Sequence, residues 1–126
     1  MKLIAHNDHL ARGEAPNELK LANDVDPRAQ DLAGVTAIEL HFPKFTDGRA
    51  FSQAFLLRRR LGFTGTIRAT GDVLVDQLLQ MQRSGFTEAV LRADQDLAVG
   101  ERLLAQFSGF YQGDAVSTQP LFAKAA

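Results

Sequence analysis

The sequence has no cysteine among its 126 residues. This absence excludes disulfide bonds, thiolate catalysis, cysteine zinc sites and cysteine-ligated iron–sulfur clusters. Long apolar runs are missing too, and none approaches the roughly 20 residues that a membrane-spanning helix needs. The first residues turn polar too soon for a secretory signal peptide. We therefore expect a cytoplasmic protein that does not interact with membranes.

The sequence also lacks an excess of charge of one sign. Its 14 lysines and arginines stand against 15 aspartates and glutamates, for a formal net charge of −1. No overall field is available to attract nucleic acid, so we expect no nucleic-acid partner. The hydrophobic share of 45% and the charged share of 23% are ordinary globular values. The length favours a single domain, which we expect over residues 1–112, followed by a C-terminal tail over residues 113–126.

A period near 24 residues runs through the chain. Asp47, Asp72 and Asp96 recur at intervals of 25 and 24 residues, and each separates a short β-like run from a helical pattern. The repeated Gly-Phe-Thr at 62–64 and 85–87 is typical of a helix end. Alternation of strands and capped helices is typical of a parallel α/β protein. The sequence thus predicts strands near 19–22, 36–42, 66–70 and 88–92, and helices near 49–61, 72–84 and 95–111.

The N-terminal part of the chain carries weaker signals. Asp26-Pro27 resembles an N-cap followed by proline at the first helical position, and predicts a short helix that ends near Leu32. Lys2 to Ala5 is a candidate extra edge strand. His6 to His9 contains residue types that bind metals, but we interpret this segment as a polar loop.

The alternation of side chains along the predicted strands separates an apolar face from a polar one. Ile38 and Leu40 share one face, whereas Glu39, His41 and Arg68 share the other. Strands buried on both sides would be apolar on both faces. We therefore expect an α/β fold with a parallel sheet of four to five strands, half-barrel-like, with its helices on one face and a polar concave face on the other. The alternative is an open doubly wound α/β sheet.

Ligands of parallel α/β proteins bind where the strands end at their C-terminal side. The residues that the sequence gathers at this edge are Lys44, Asp47, Gly48, Arg49, Arg68, Thr70, Asp72, Arg92 and Asp94. In a structural interpretation, the aspartates cap helices and the arginines are their ion-pair partners. In a functional interpretation, the arginines, Lys44 and backbone N–H groups hold a small oxyanion.

The sequence contains no common catalytic or cofactor-binding motif. It has no nucleophile elbow, phosphate-binding loop, dinucleotide fingerprint or zinc-protease motif, so we expect no cofactor. Glu39, Asp72 and Asp94 could hold Mg²⁺, but no spacing requires it, and we expect no metal site. His41 is the one histidine near the proposed site and a weak candidate for a general base. Whether the protein is an enzyme stays open.

Three stretches resemble the hallmark of a known family. They are "FPKFTDGR" from Phe42 to Arg49, "RATGDVLVDQL" from Arg68 to Leu78 and "DQDL" from Asp94 to Leu97. Over roughly residues 19 to 112 the chain resembles the bacterial domain of unknown function 934, whose members commonly carry the description probable oxidoreductase involved in sulfite reduction. The resemblance implies an association with sulfite reductase and sulfur assimilation. It implies no particular reaction.

Three hypotheses follow. The first is an accessory protein of assimilatory sulfite reduction that binds a small oxyanion or docks on the reductase. The second is an enzyme that acts on a small anionic metabolite. The third is a pure protein-interaction module. An open sheet also leaves two unpaired edge strands, so we expect a homodimer.

Overall fold

The structure is a computed structural model, and it describes residues 1–107. Its strands are β1 (Lys2–Ile4), β2 (Glu18–Leu21), β3 (Ala37–Phe42), β4 (Thr66–Gly71) and β5 (Glu88–Val90). Its α-helices are α1 (His6–Arg12), α2 (Arg49–Phe55), α3 (Leu78–Ser84) and α4 (Leu97–Phe107). The end of the last predicted helix, at residue 111, and the predicted tail lie outside the described residues.

All five strands are parallel and form one sheet in the order β1-β5-β4-β3-β2. The predicted α/β class and parallel sheet are confirmed, and the sheet is not closed into a barrel. The four strands predicted between residues 19 and 92 and the extra strand at the N-terminus are all present. β2 to β5 lie side by side in chain order, and β1 adds to the free side of β5.

The apolar face of the sheet packs against α2 and α3. Ile38, Leu40 and Phe42 alternate along β3 and are fully buried. The ring of Phe42 lies 5.0 Å from that of Phe51 on α2, centroid to centroid, in an edge-on arrangement. Leu78 and Met81 of α3 join the same core. The apolar side chains that alternate along the strands therefore pack against the apolar stripes of the helices on this face, as the sequence predicts.

The connection from β1 to β2 places a helix on the other face. It runs from one edge of the sheet to the opposite edge, whereas the later connections return strand by strand. Because right-handed crossovers in opposite directions use opposite faces, α1 lies over the polar side. His9 Nε2 of α1 is 3.1 Å from Glu39 Oε1 of β3. The expectation of a loop at residues 6–9 is wrong, and the polar face is covered by α1 rather than open.

Two predicted helix starts need correction. After a bend at Asp72, Leu74 is extended (φ −108°, ψ 150°), and a 3₁₀ turn over Val75–Gln77 then precedes α3. Asp72 therefore caps no helix. After Asp26 the helix is one 3₁₀ turn, Pro27–Ala29, because Gln30 is already extended (φ −96°, ψ 145°). At the other end, α2 continues as a π-helix over Leu56–Arg60, so the predicted helix near 49–61 is confirmed.

Within residues 1–107, no helix combines the length and the apolar character needed to cross a membrane.

Candidate functional site

The loops after β3, β4 and β5 meet at one edge of the sheet because the three strands are parallel and adjacent. We call their residues 43–49, 70–74 and 91–96 the strand-end surface. Most of the residues predicted for the site lie here. Backbone hydrogen bonds continue past the strands, as from Arg92 N to Val73 O at 3.0 Å, and side chains from different loops add further contacts.

Asp72 connects two of these loops. Its Oδ2 accepts a hydrogen bond from the backbone N–H of Phe45 at 2.8 Å, and its Oδ1 accepts one from Arg92 Nη1 at 2.5 Å. The hydrogen bond from Arg92, followed by that from Phe45, lowers the pKa of Asp72. This pairing is the reason why Asp72 does not cap α3. It holds the loop after β3 against the loop after β5.

Arg92 is fully engaged. Besides the contact with Asp72, its Nε and Nη2 lie 2.6 and 2.8 Å from the two carboxylate oxygens of Asp94. Asp94 and then Asp72 raise the pKa of Arg92. Arg92 in turn lowers the pKa of Asp94 to about 2. All three guanidinium nitrogens thus have carboxylate partners, and an incoming anion would have to displace one of them.

Asp47 organises the start of α2. Its Oδ1 accepts the backbone N–H of Arg49 at 3.1 Å, and its Oδ2 accepts a hydrogen bond from Asn23 Nδ2 at 2.8 Å. Asp47 thus binds the first N–H of α2 from the position before the N-cap, which is Gly48, so the predicted N-cap is displaced by one residue. Arg49 pairs with the same aspartate, since its Nη2 lies 2.7 Å from Asp47 Oδ2. The hydrogen bonds from the Arg49 side chain and backbone hold the pKa of Asp47 far below its usual range.

The two glycines of the surface differ. Gly48 has φ −87°, which any residue adopts, and a Cβ there would meet nothing within 4 Å. The backbone at position 48 therefore does not require glycine. Gly71 has φ +95°, and a Cβ there would lie 2.3 Å from Phe42 O and 2.7 Å from His41 Cε1. Glycine at 71 lets the end of β4 approach β3 and the ring of His41.

Lys44, Thr70 and His41 complete the predicted set. His41 is exposed at the end of β3, beside Thr70 in register on β4. Lys44 is exposed, and within the described part of the chain its amine has no carboxylate partner. His41 likewise has no carboxylate or hydroxyl partner among residues 1–107 that would make it a general base.

Arg68 is not brought together with the other predicted site residues. It lies in the middle of β4 under α1, with 3% of its surface exposed. Its side chain contacts three carboxylates, Glu88 at 2.8 Å, Glu39 at 2.9 Å and Glu18 at 3.0 Å. Burial lowers the pKa of Arg68, but the hydrogen bonds that Arg68 donates to Glu88, Glu39 and Glu18 outweigh burial and raise it. Arg68 therefore belongs to a buried ionic cluster on the face of the sheet.

The residues considered for Mg²⁺ are separated for the same reason. Glu39 pairs with Arg68 on the face of the sheet, whereas Asp72 and Asp94 pair with Arg92 at the strand ends. Among the residues that the structure describes, no group of three or more His, Asp and Glu side chains is placed to hold a metal ion.

Phe45 lies in the strand-end surface but is not among the residues that the sequence predicts for the site. It is 48% exposed, although its backbone is fixed on both sides. Its N–H donates to Asp72 at 2.8 Å, and its carbonyl oxygen accepts a hydrogen bond from Gln77 Nε2 at 2.6 Å. The available signal was an apolar residue inside the otherwise polar turn "PKFTDG".

A family model described as "Bacterial protein of unknown function (DUF934)" matches residues 18–122. The chain belongs to this family. The match begins at the first residue of β2 and includes the whole strand-end surface, but not β1 or α1. No curated protein and no solved structure matches the chain. For this DUF934 protein, function therefore has to be argued from the site itself.

Proposed function

We propose that this DUF934 protein is a cytoplasmic accessory protein of assimilatory sulfite reduction that docks on a protein partner through the strand-end surface. The observation that carries the docking is Phe45. Its ring is largely exposed, yet its backbone is held by Asp72 and Gln77. Sulfite reductase is the partner to which the family resemblance points.

The surroundings of Phe45 fit the anatomy of a protein interface. Such interfaces place aromatic anchors at the centre and polar groups at the rim. Here Lys44 is adjacent in sequence, and the ion pairs Arg49–Asp47 and Arg92–Asp94 lie in the neighbouring loops. Because the backbone of Phe45 is already ordered, little conformational entropy is lost when a partner covers the ring.

The ion pairs favour docking over oxyanion binding by the strand ends. Arg92 already has Asp72 and Asp94 as partners, and Arg49 has Asp47. Arg68 is buried among glutamates on the face of the sheet. An oxyanion at the strand ends would therefore compete with carboxylates at Arg92 and at the Nε and Nη2 groups of Arg49, whereas a protein surface can cover the pairs without breaking them.

The test is a direct binding measurement between the full chain and the sulfite reductase holoenzyme of the same bacterium, by calorimetry or biolayer interferometry. Phe45→Ala should weaken binding by about 30-fold, corresponding to an anchor worth about 2 kcal/mol. Phe55→Ala is the matched control, because Phe55 is similarly exposed at 44% but lies on α2. It should bind like the unsubstituted chain.

Two results would reject the proposal in different ways. Absence of binding by the unsubstituted chain at 100 micromolar would reject the reductase as partner. Equal binding by Phe45→Ala and Phe55→Ala would reject the strand-end surface as the contact.

A further inference from the structure

A cleft of about 340 Å³ lies between the segment that follows β2 and the side of α2. It is separate from Phe45, and its lining includes Asp24, Arg28, Arg49 and Gln53. The volume is at the lower end of the range of small-molecule sites, roughly 300–1,000 Å³. The cleft is therefore of a size for a small metabolite.

Two arginines at the cleft are held in the same way. Arg28 places Nε and Nη2 on the carboxylate of Asp26, with Nη2–Oδ2 at 2.9 Å. Arg49 does the same with Asp47, with Nη2–Oδ2 at 2.7 Å. Both pairs are two residues apart in sequence, and each aspartate also accepts the backbone N–H of its arginine. The side chains are thereby oriented although they are 64% and 60% exposed.

This pairing leaves one end of each guanidinium group available. The aspartates use Nε and Nη2, and Nη1 of Arg28 and of Arg49 has no hydrogen bond within residues 1–107. A guanidinium group has five N–H donors in a planar arrangement that suits a carboxylate. Two oriented Nη1 groups at one cleft can therefore bind a ligand carboxylate.

The charges around the cleft oppose a simple anion. Three carboxylates, Asp24, Asp26 and Asp47, outnumber the two guanidinium groups, and Asp24 has no ion pair in the described part of the chain. A ligand that brings its own cation removes this repulsion, because the cation can face Asp24. The charge pattern thus favours a ligand that carries both signs.

Gln53 lines the cleft and is almost completely buried. It is only 4% exposed, and its Nε2 donates to the carbonyl oxygens of Ala22 and Val25 at 2.8 Å each. Those two bonds fix the orientation of the amide. Its Oε1 is buried and has no hydrogen-bond donor among residues 1–107. Because this oxygen has no accessible surface, Gln53 shapes the wall of the cleft by tying α2 to the segment after β2.

We propose that this cleft binds a free amino acid in its zwitterionic form. The ligand carboxylate binds Nη1 of Arg28 and Arg49, and the ammonium group faces Asp24. The ligand side chain packs on Val25 and Leu56, which also line the cleft. The site is independent of docking through Phe45, so either proposal can fail without the other.

The experiment starts with thermal-shift measurements on the full chain with each of the twenty L-amino acids at 10 mM. At least one should raise the melting temperature, because a ligand that binds only the folded state stabilises it. Calorimetry then compares that amino acid with its two truncated analogues, the carboxylic acid without the amine and the amine without the carboxylate. Each analogue should bind at least tenfold more weakly.

The variant that tests the site is Arg28→Gln combined with Arg49→Gln. Both side chains are exposed, so the melting temperature without ligand should change little, while the ligand-induced shift should disappear. The control with the same change in charge is Arg60→Gln combined with Arg102→Gln, since neither residue lines the cleft. It should retain the full shift.

Several outcomes would overturn the proposal. These are no shift with any amino acid, an undiminished shift in the Arg28/Arg49 variant, or equal affinity for the carboxylic acid that lacks the amine. The last result would identify a simple anion site in place of a zwitterion site.

Discussion

At the scale of single residues, Arg68 is a charged side chain in a buried position. Its guanidinium group is buried and contacts Glu18, Glu39 and Glu88, with 10%, 7% and 19% of their side chains exposed. Burial of these charges is tolerable because each carboxylate is paired with Arg68, and Glu18 is also paired with Arg12. The cluster is thus a structural element of the sheet, in keeping with the structural interpretation of the charged residues.

We predict that Arg68→Met lowers the free energy of unfolding by about 3–5 kcal/mol, because three carboxylates lose their shared cation. Urea denaturation at pH 7 measures this change. Arg92→Met serves as the comparison, since the Arg92 side chain is 40% exposed and its pairs are solvent-screened. It should cost about 0–1 kcal/mol. Similar losses in the two variants would contradict the assignment of Arg68 to a buried cluster.

Local sequence signals predicted correctly that Asp47 and Asp96 bind N–H groups at helix starts, but they failed at Asp72. Asp47 and Asp96 accept N–H groups two residues ahead, an arrangement that a short stretch of sequence reveals. The partners of Asp72 lie 27 and 20 residues away, at Phe45 and Arg92. Their proximity arises only when the strands align, so the sequence pattern of a capped helix was misleading there.

At the scale of elements, α1 is held differently from the other helices. None of its residues is buried, and Leu10, its apolar residue, is 65% exposed. Its contacts with the sheet include His9 with Glu39 and Arg12 with Glu18. A helix without apolar burial depends on such polar contacts, and they respond to pH.

We predict that His9 makes stability depend on pH below neutrality. Burial is the main cause that lowers the pKa of His9 from 6.5, Glu39 opposes it, and Arg68, Arg12 and Lys20 reinforce it. The folded state therefore favours neutral imidazole. Its contribution is complete above about pH 6.5 and is lost as the pH falls from there toward the lowered value. His9→Gln should show a smaller loss of stability between pH 7.5 and 5.5 than the unsubstituted chain.

Urea denaturation at pH 7.5, 6.5 and 5.5 measures this dependence. His6→Gln is the control, because His6 also belongs to α1 but has no ion pair among the described residues. It should keep the dependence of the unsubstituted chain. An identical pH profile for His9→Gln and the unsubstituted chain would remove His9 as its source.

The arginine run near the end of α2 shows how an element depends on its neighbours. Cationic residues at a helix end predict a solvated terminus. Arg58 instead donates to the backbone oxygens of Gly85, Phe63 and Gly65 at 3.0, 2.9 and 2.6 Å. Burial lowers its pKa. Phe63 and Gly65 lie in the loop directly after the helix, whereas Gly85 comes within reach only through the approach of the α3–β5 turn.

At the scale of the whole molecule, the sheet has two outer strands. Within the described residues β1 pairs only with β5, and β2 pairs only with β3. Unpaired strand edges are usually covered in solution. We therefore predict a homodimer, and light scattering at 50 micromolar should give twice the chain mass of 13.8 kDa.

Phe45→Ala separates two ways of forming such a dimer. If the strand edges associate, this variant stays dimeric. If the strand-end surface is itself the dimer interface, the variant becomes a monomer. A monomer mass for the unsubstituted chain would reject self-association altogether.

The sequence by itself determined the α/β class, the positions of the strands and the division of the sheet into an apolar and a polar face. These properties depend on side-chain alternation and on caps within a few residues, which a single sequence contains. Only the tertiary structure decided that α1 covers the polar face, that Arg68 is buried there, and that Phe45 stays exposed. Each of these depends on where β1 and the strand-end loops lie in space, and the contacts involved join residues up to 50 positions apart, as between Glu18 and Arg68. Local patterns contain no information about contacts at that separation.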